Sequence, residues 1–123
     1  MELNDLPEVS GIGGDGDYKF LIVDIFDKSL QNHRRILRAG LVDMAVKPDE
    51  RLLHIDIHQM ISAEHGKDIR HMNRGGGWPE LREKRSRIVV SRSSRDYGRE
   101  PDRDETLNMI RRAFPISEVV ARD

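Results

Sequence analysis

Apolar and polar positions follow two different periods along the chain, and each change of period marks an element. Tyr18-Lys19-Phe20-Leu21-Ile22-Val23-Asp24-Ile25-Phe26 is β-branched, aromatic-rich and apolar on both faces, which predicts a central strand in a sheet covered on both sides. Asn32–Met44 alternates basic and apolar residues, as in Arg35-Ile36-Leu37-Arg38, with a break at Gly40, and predicts a second strand. From Glu50 the spacing lengthens. Leu53, Ile57, Met60 and Ile61 recur at i, i+4, i+7 and i+8, predicting an amphipathic helix over Glu50–Glu64, with Asp49 placed to cap it and Gly66 to stop it. Ile69–Asn73 predicts a short strand before a Gly75-Gly76-Gly77 loop. Arg87-Ile88-Val89-Val90-Ser91 predicts a further strand, which leaves through a Ser93–Gly98 loop. Leu107, Ile110 and Phe114 share one helical face, with Asp102 or Asp104 as cap, Arg111-Arg112 in the last turn and Pro115 as stop. Ile116–Ala121 returns as a terminal strand. The order ββαββαβ predicts a single small domain over residues 1–123, α/β or α+β in class, with two helices on one mixed sheet.

Gly11–Gly16 reads GIGGDG and formally matches the dinucleotide-binding fingerprint. That fingerprint needs a strand before it and a helix after it. Here a strand follows and none precedes, so the segment reads as a turn.

Composition narrows the function classes. The 123 residues carry 21 basic and 22 acidic side chains, a formal net charge of −1, so no global field draws the chain to nucleic acid or an anionic membrane. Only Trp78 and Tyr97 could offer stacking platforms near the arginine-rich segment, which also argues against nucleic acid. With no cysteine, thiol nucleophiles, disulfides and Cys-ligated zinc are excluded. No apolar run reaches the ~20 residues that span a bilayer, and Met1-Glu2-Leu3-Asn4-Asp5 lacks the regions of a signal peptide. The expectation is a cytoplasmic monomer that engages neither nucleic acid nor membrane.

Four features can carry chemistry. His54 and His58 lie at i, i+4, a spacing that can chelate zinc, copper or nickel or can simply sit on a solvated helix face. His54 alone, near a helix N-terminus that favours anions, can serve as a base or nucleophile towards phosphorus, against the plainer reading of an exposed histidine. Arg82, Arg85, Arg87, Arg92, Arg95 and Arg99 can form a phosphate- or carboxylate-binding groove, or a charged surface paired with Glu80, Glu83, Asp96 and Glu100. Ser93-Ser94-Arg95-Asp96-Tyr97-Gly98 can form an anion-binding nest at a strand exit.

Four segments, in register, resemble the Janus/ocnus family, which includes the protein phosphohistidine phosphatases. They are Gly14-Asp15-Gly16-Asp17-Tyr18-Lys19-Phe20-Leu21-Ile22, Leu53-His54-Ile55-Asp56-Ile57, Gly75-Gly76-Gly77, and Ser94-Arg95-Asp96-Tyr97-Gly98 followed by a helix ending at Phe114-Pro115. The resemblance spans roughly residues 7 to 121. It implies a mixed sheet flanked by two helices, and metal-independent, cofactor-free hydrolysis of phosphohistidine in proteins. It also implies His54 as the catalytic residue, with Lys19, Ser94 and the backbone N–H of Asp96 holding phosphate. Three positions depart from the family pattern. Asp96 stands where a small residue is usual, Trp78 follows the glycine triplet where a basic residue is often found, and Gly98-Arg99-Glu100-Pro101-Asp102-Arg103 lacks the family's histidine. These departures keep open a non-catalytic, phosphoprotein-binding member of the same family.

Overall fold

The apolar run from Tyr18 becomes the spine of the sheet. The computed structural model describes residues 3–42, 54–66, 68–94 and 97–122. Within it, β1 (Val9–Ser10), β2 (Gly16–Asp27), β3 (His33–Leu41), β4 (Ile69–Arg82), β5 (Arg87–Ser91) and β6 (Glu118–Ala121) form one sheet, and α1 (His54–His65) and α2 (Arg103–Ala113) pack on it. The strand order is β1-β3-β2-β4-β5-β6. Antiparallel pairing joins β2 to β3 and β4, and β4 to β5, whereas the edge strands β1 and β6 pair in parallel with β3 and β5. The domain is therefore α+β with a mixed sheet.

Side-chain alternation along β2 sorts the core into two layers. Tyr18, Phe20 and Ile22 join Leu107, Met109 and Ile110 of α2, while Leu21, Val23 and Ile25 join Ile57 and Ile61 of α1. Every residue from Tyr18 to Ile25 is buried, as a centrally placed strand covered on both faces requires. Asp102 caps α2 by accepting from the Glu105 N–H, and α2 ends at Ala113, with Phe114 as its C-cap just before Pro115. Gly66, at φ +70°, follows the last residue of α1, where a left-handed residue closes a helix. The expected cap at Asp49 and the expected first turn from Glu50 lie outside the described residues.

The glycine triplet corrects an expectation. Gly75-Gly76-Gly77 is no loop but the middle of β4, which runs unbroken from Ile69 to Arg82. Register with β2 shifts between Val23↔Asn73 and Leu21↔Gly76, so Ile22 faces the two residues Arg74 and Gly75 across a β-bulge. Gly75 takes φ +102° there, and a Cβ on Gly76 would stand 1.8 Å from the Phe20 carbonyl oxygen. The glycines permit a bulge and a close approach, not a turn. Among the described residues no helix is long and apolar enough to cross a membrane.

Candidate functional site

The bulge shifts the alternation of β4, and that shift builds the site. Before it, His71 and Asn73 share the α1 face with Ile25 and Val23, their partners on β2. Beyond it, Phe20↔Gly77 pairing leaves Trp78 alongside Lys19, and the Lys19 ammonium lies over the Trp78 ring at 4.7 Å from its centroid. Lys19 is buried on the same face of β2 as Leu21. The Arg92 guanidinium also lies over the Trp78 ring, at 4.9 Å.

His54 opens α1 as described and is only 4% exposed, which removes the reading of a solvated histidine. Its Nε2 stands 3.4 Å from the Gly77 carbonyl oxygen. A carbonyl can only accept, so a neutral ring in this contact carries its hydrogen on Nε2 and its lone pair on Nδ1.

Ser94 reaches the same stretch of β4 from the other side. β5 stops pairing with β4 at Trp78↔Ser91, and the chain beyond it returns so that the Ser94 N–H donates to the Gly76 carbonyl at 3.0 Å. Gly98 N–H donates to Ser94 O at 2.9 Å, and Gly76 N–H donates to Gly98 O at 2.9 Å, which ties the loop to the bulge. The buried Ser94 hydroxyl accepts from the Tyr97 N–H at 3.1 Å and still has its own O–H to donate. Asp96, whose N–H is expected to help hold phosphate, lies outside the described residues.

Three motifs far apart in the chain thus meet three consecutive residues: Ser94 at Gly76, His54 at Gly77 and Lys19 at Trp78. α2 fastens the assembly from behind. Buried Arg103 donates to the Arg92 carbonyl at 2.6 Å and to Glu100 Oε1 at 2.9 Å, and the Thr106 hydroxyl donates to Glu100 Oε2 at 2.5 Å. Glu100 therefore serves Arg103, not the arginine-rich segment. Within that segment Arg82 of β4 pairs with Asp17 of β2 at 2.6 Å, and Arg95 lies outside the described residues.

A cleft of about 700 Å³ opens at the other end of β2 beside Asp27, His33 and Asp68, and brings together none of the residues expected from the sequence. The His54/His58 pair also separates: His54 meets Gly77, whereas His58 Nδ1 lies 2.8 Å from Asn73 Nδ2 and 3.2 Å from His71 Nε2. Among the described residues no group of three or more His, Cys, Asp or Glu side chains converges to hold a metal ion, and the pair is not read as a metal site. What the i, i+4 spacing obscured is the i, i+7 pair His58 and His65, which faces His71 and Asn73 at i, i+2 on β4. Trp78 was legible only as a departure from a family pattern; its part as a shelf for two cations needed the register.

No family model and no curated protein matches the chain.

Its functional reading therefore rests on the residues around Gly76, Gly77 and Trp78.

Proposed function

We propose that the protein is a histidine phosphatase of the Janus type, hydrolysing phosphohistidine in other proteins without a metal or cofactor. The observation that carries this reading is the meeting of Ser94, His54 and Lys19 on Gly76, Gly77 and Trp78. Phosphoryl transfer asks mainly for positioning and for neutralisation of the equatorial oxygens, so a cation and a few fixed donors do much of the work. Lys19 supplies the cation, and the Ser94 hydroxyl with the backbone N–H of Asp96 supplies the donors. His54 supplies the base that takes a proton from attacking water, or the nucleophile that accepts the phosphoryl group before water does. In both routes the P–N bond breaks, a P–O bond to water oxygen forms, and the departing imidazole leaves with a proton.

The test is phosphate release from a phosphohistidine peptide, with EDTA present throughout. Wild type is expected to turn over, His54→Ala to lose about 10³-fold, and Lys19→Met about 10²-fold. A folded wild type without turnover overturns the reading. Retained phosphopeptide binding in that case points to the binding-only relative, in which the Asp96 carboxylate repels the transferred group.

A further inference from the structure

Beyond the cradle, α1 and β4 are joined by three imidazoles strung in line. His65 Nδ1 lies 2.6 Å from the Gly66 carbonyl oxygen, His65 Nε2 lies 2.7 Å from His71 Nδ1, and His71 Nε2 lies 3.2 Å from His58 Nδ1. Both ring pairs have centroids 4.8 Å apart. The Asn73 amide closes the line with Nδ2 at 2.8 Å from His58 Nδ1, and its Oδ1 is buried with no hydrogen-bond partner among the described residues.

Counting hydrogens shows what this line can hold. The Gly66 carbonyl accepts, so His65 carries a hydrogen on Nδ1. If all three rings are neutral, each must carry its hydrogen on Nδ1 and pass it down the line, from His58 to His71 to His65. Asn73 then satisfies itself only by turning its amide over, so that Oδ1 accepts from His58 Nδ1–H. One added proton reverses the direction. His65 becomes an imidazolium donating from both nitrogens, His71 donates from Nε2, and Asn73 Nδ2 donates to the bare Nδ1 of His58, which is the amide orientation found here. His65 is also the natural seat of that charge, because it stands in the last turn of α1, where the helix dipole favours a cation. A second proton has no such place, since it sets two N–H groups head to head and puts two like charges within one ring spacing.

Among the described residues, the groups around the line supply no carboxylate from the sheet. β2 presents apolar Val23 and Ile25, β3 presents Arg38 already held by Glu64 of α1, and Tyr97 packs its ring 6.1 Å from His58. Besides Glu64, α1 carries Asp56, and the buried carboxylate of β2, Asp24, bonds Arg35 and Arg74 on the opposite face. Burial, and then the charges on His65 and His58, push His71 below the usual imidazole range.

We propose that His58, His71 and His65 form a proton-counting latch: it fastens α1 to β4 while it holds no proton or one, and releases the helix when it takes a second. The inference concerns how α1 is held and is independent of what His54 does.

The experiment is a pH titration of the full-length protein by nuclear magnetic resonance, reading imidazole nitrogen shifts for tautomers and amide exchange for the docking of α1. On the first protonation His71 is expected to exchange an Nδ1–H for an Nε2–H tautomer while α1 keeps its protection. On the second, protection of the α1 amides, corrected for intrinsic exchange, is expected to fall about tenfold or more for each unit of pKa displacement while β2 stays protected. His71→Phe is expected to abolish that pH dependence. Independent titration of three rings with no change of tautomer overturns the proposal, as does α1 protection that ignores pH or keeps its wild-type pH dependence in His71→Phe. The tautomer readout uses wild type alone and stands even if the variant does not fold.

Discussion

The two faces of the sheet are built on different terms. On the α2 face, twelve buried apolar residues, Phe20 and Ile110 among them, form one cluster, and the buried polar groups are tied into ion-pair networks: Glu100 with Arg103 and Thr106, and Asp24 with Arg35 and Arg74. The α1 face has a smaller apolar cluster, in which Ile57 and Ile61 are the helix's contributions, and its remaining contacts are Lys19, His54, the Arg38–Glu64 pair and the imidazole line. A helix docked mainly by apolar burial is insensitive to pH near neutrality, whereas one docked partly by titratable groups is not. The α2 face thus acts as the scaffold, and the α1 face carries the titratable groups on which the proposed function and the proposed latch depend.

The widest test of this contrast is at the seam the faces share. Gly76→Ala sets a Cβ 1.8 Å from the Phe20 carbonyl oxygen and 2.8 Å from its carbon, so the backbones of β4 and β2 must part. A loss of about 4 kcal/mol or a failure to fold is expected by chemical denaturation. Gly66→Ala, with φ +70° and open space around it, is expected to cost only about 1 kcal/mol. Equal losses would remove the close approach as the reason for the triplet.

Next in size is Glu100→Ala. It removes the carboxylate partner of the Arg103 guanidinium, whose side chain is 6% exposed, and is expected to cost about 3 kcal/mol. The titration of the three imidazoles should not move. A shift there would break the separation of the two faces.

The smallest effect divides the faces by pH. Burial tends to raise the Asp24 carboxyl, but the hydrogen bonds and charges of Arg35 and Arg74 outweigh it and hold the group below the usual carboxylate range. Its contribution is therefore complete above the unfolded value of ~3.9 and is lost as pH falls through the lower folded value. For His71, also held below its usual range, the sign gives full stability above ~6.5 and a loss as pH falls from there towards the folded value. Asp24→Asn is expected to cost about 2 kcal/mol, less than a fully buried break because Arg35 and Arg74 can turn to water, and to flatten only the acid limb of the stability curve. His71→Phe should flatten only the limb nearer neutrality.

Much of the fold was legible in local pattern. The strand from Tyr18, the Asp102 cap and the stop before Pro115 each follow from one or a few adjacent residues, and so does the Gly66 closure. β1 was missed because a two-residue edge strand leaves no period to read. The glycine triplet was misread because glycine marks both turns and close approaches, and only the neighbouring strand tells them apart. The histidines were paired at i, i+4 because that spacing is visible within one helix, whereas His58, His65, His71 and Asn73 meet across two elements.

The order of the elements after β1, two-sided burial of the central strand, near-neutral charge and absence of thiol chemistry were determined by the sequence alone, because periodicity and composition act over short range or on the chain as a whole. Only the tertiary structure decided that β4 bulges at Gly75, that Ser94, His54 and Lys19 meet Gly76, Gly77 and Trp78, and that three imidazoles line up between α1 and β4. These depend on register, and a shift of a single residue in one strand turns every later side chain to the other face.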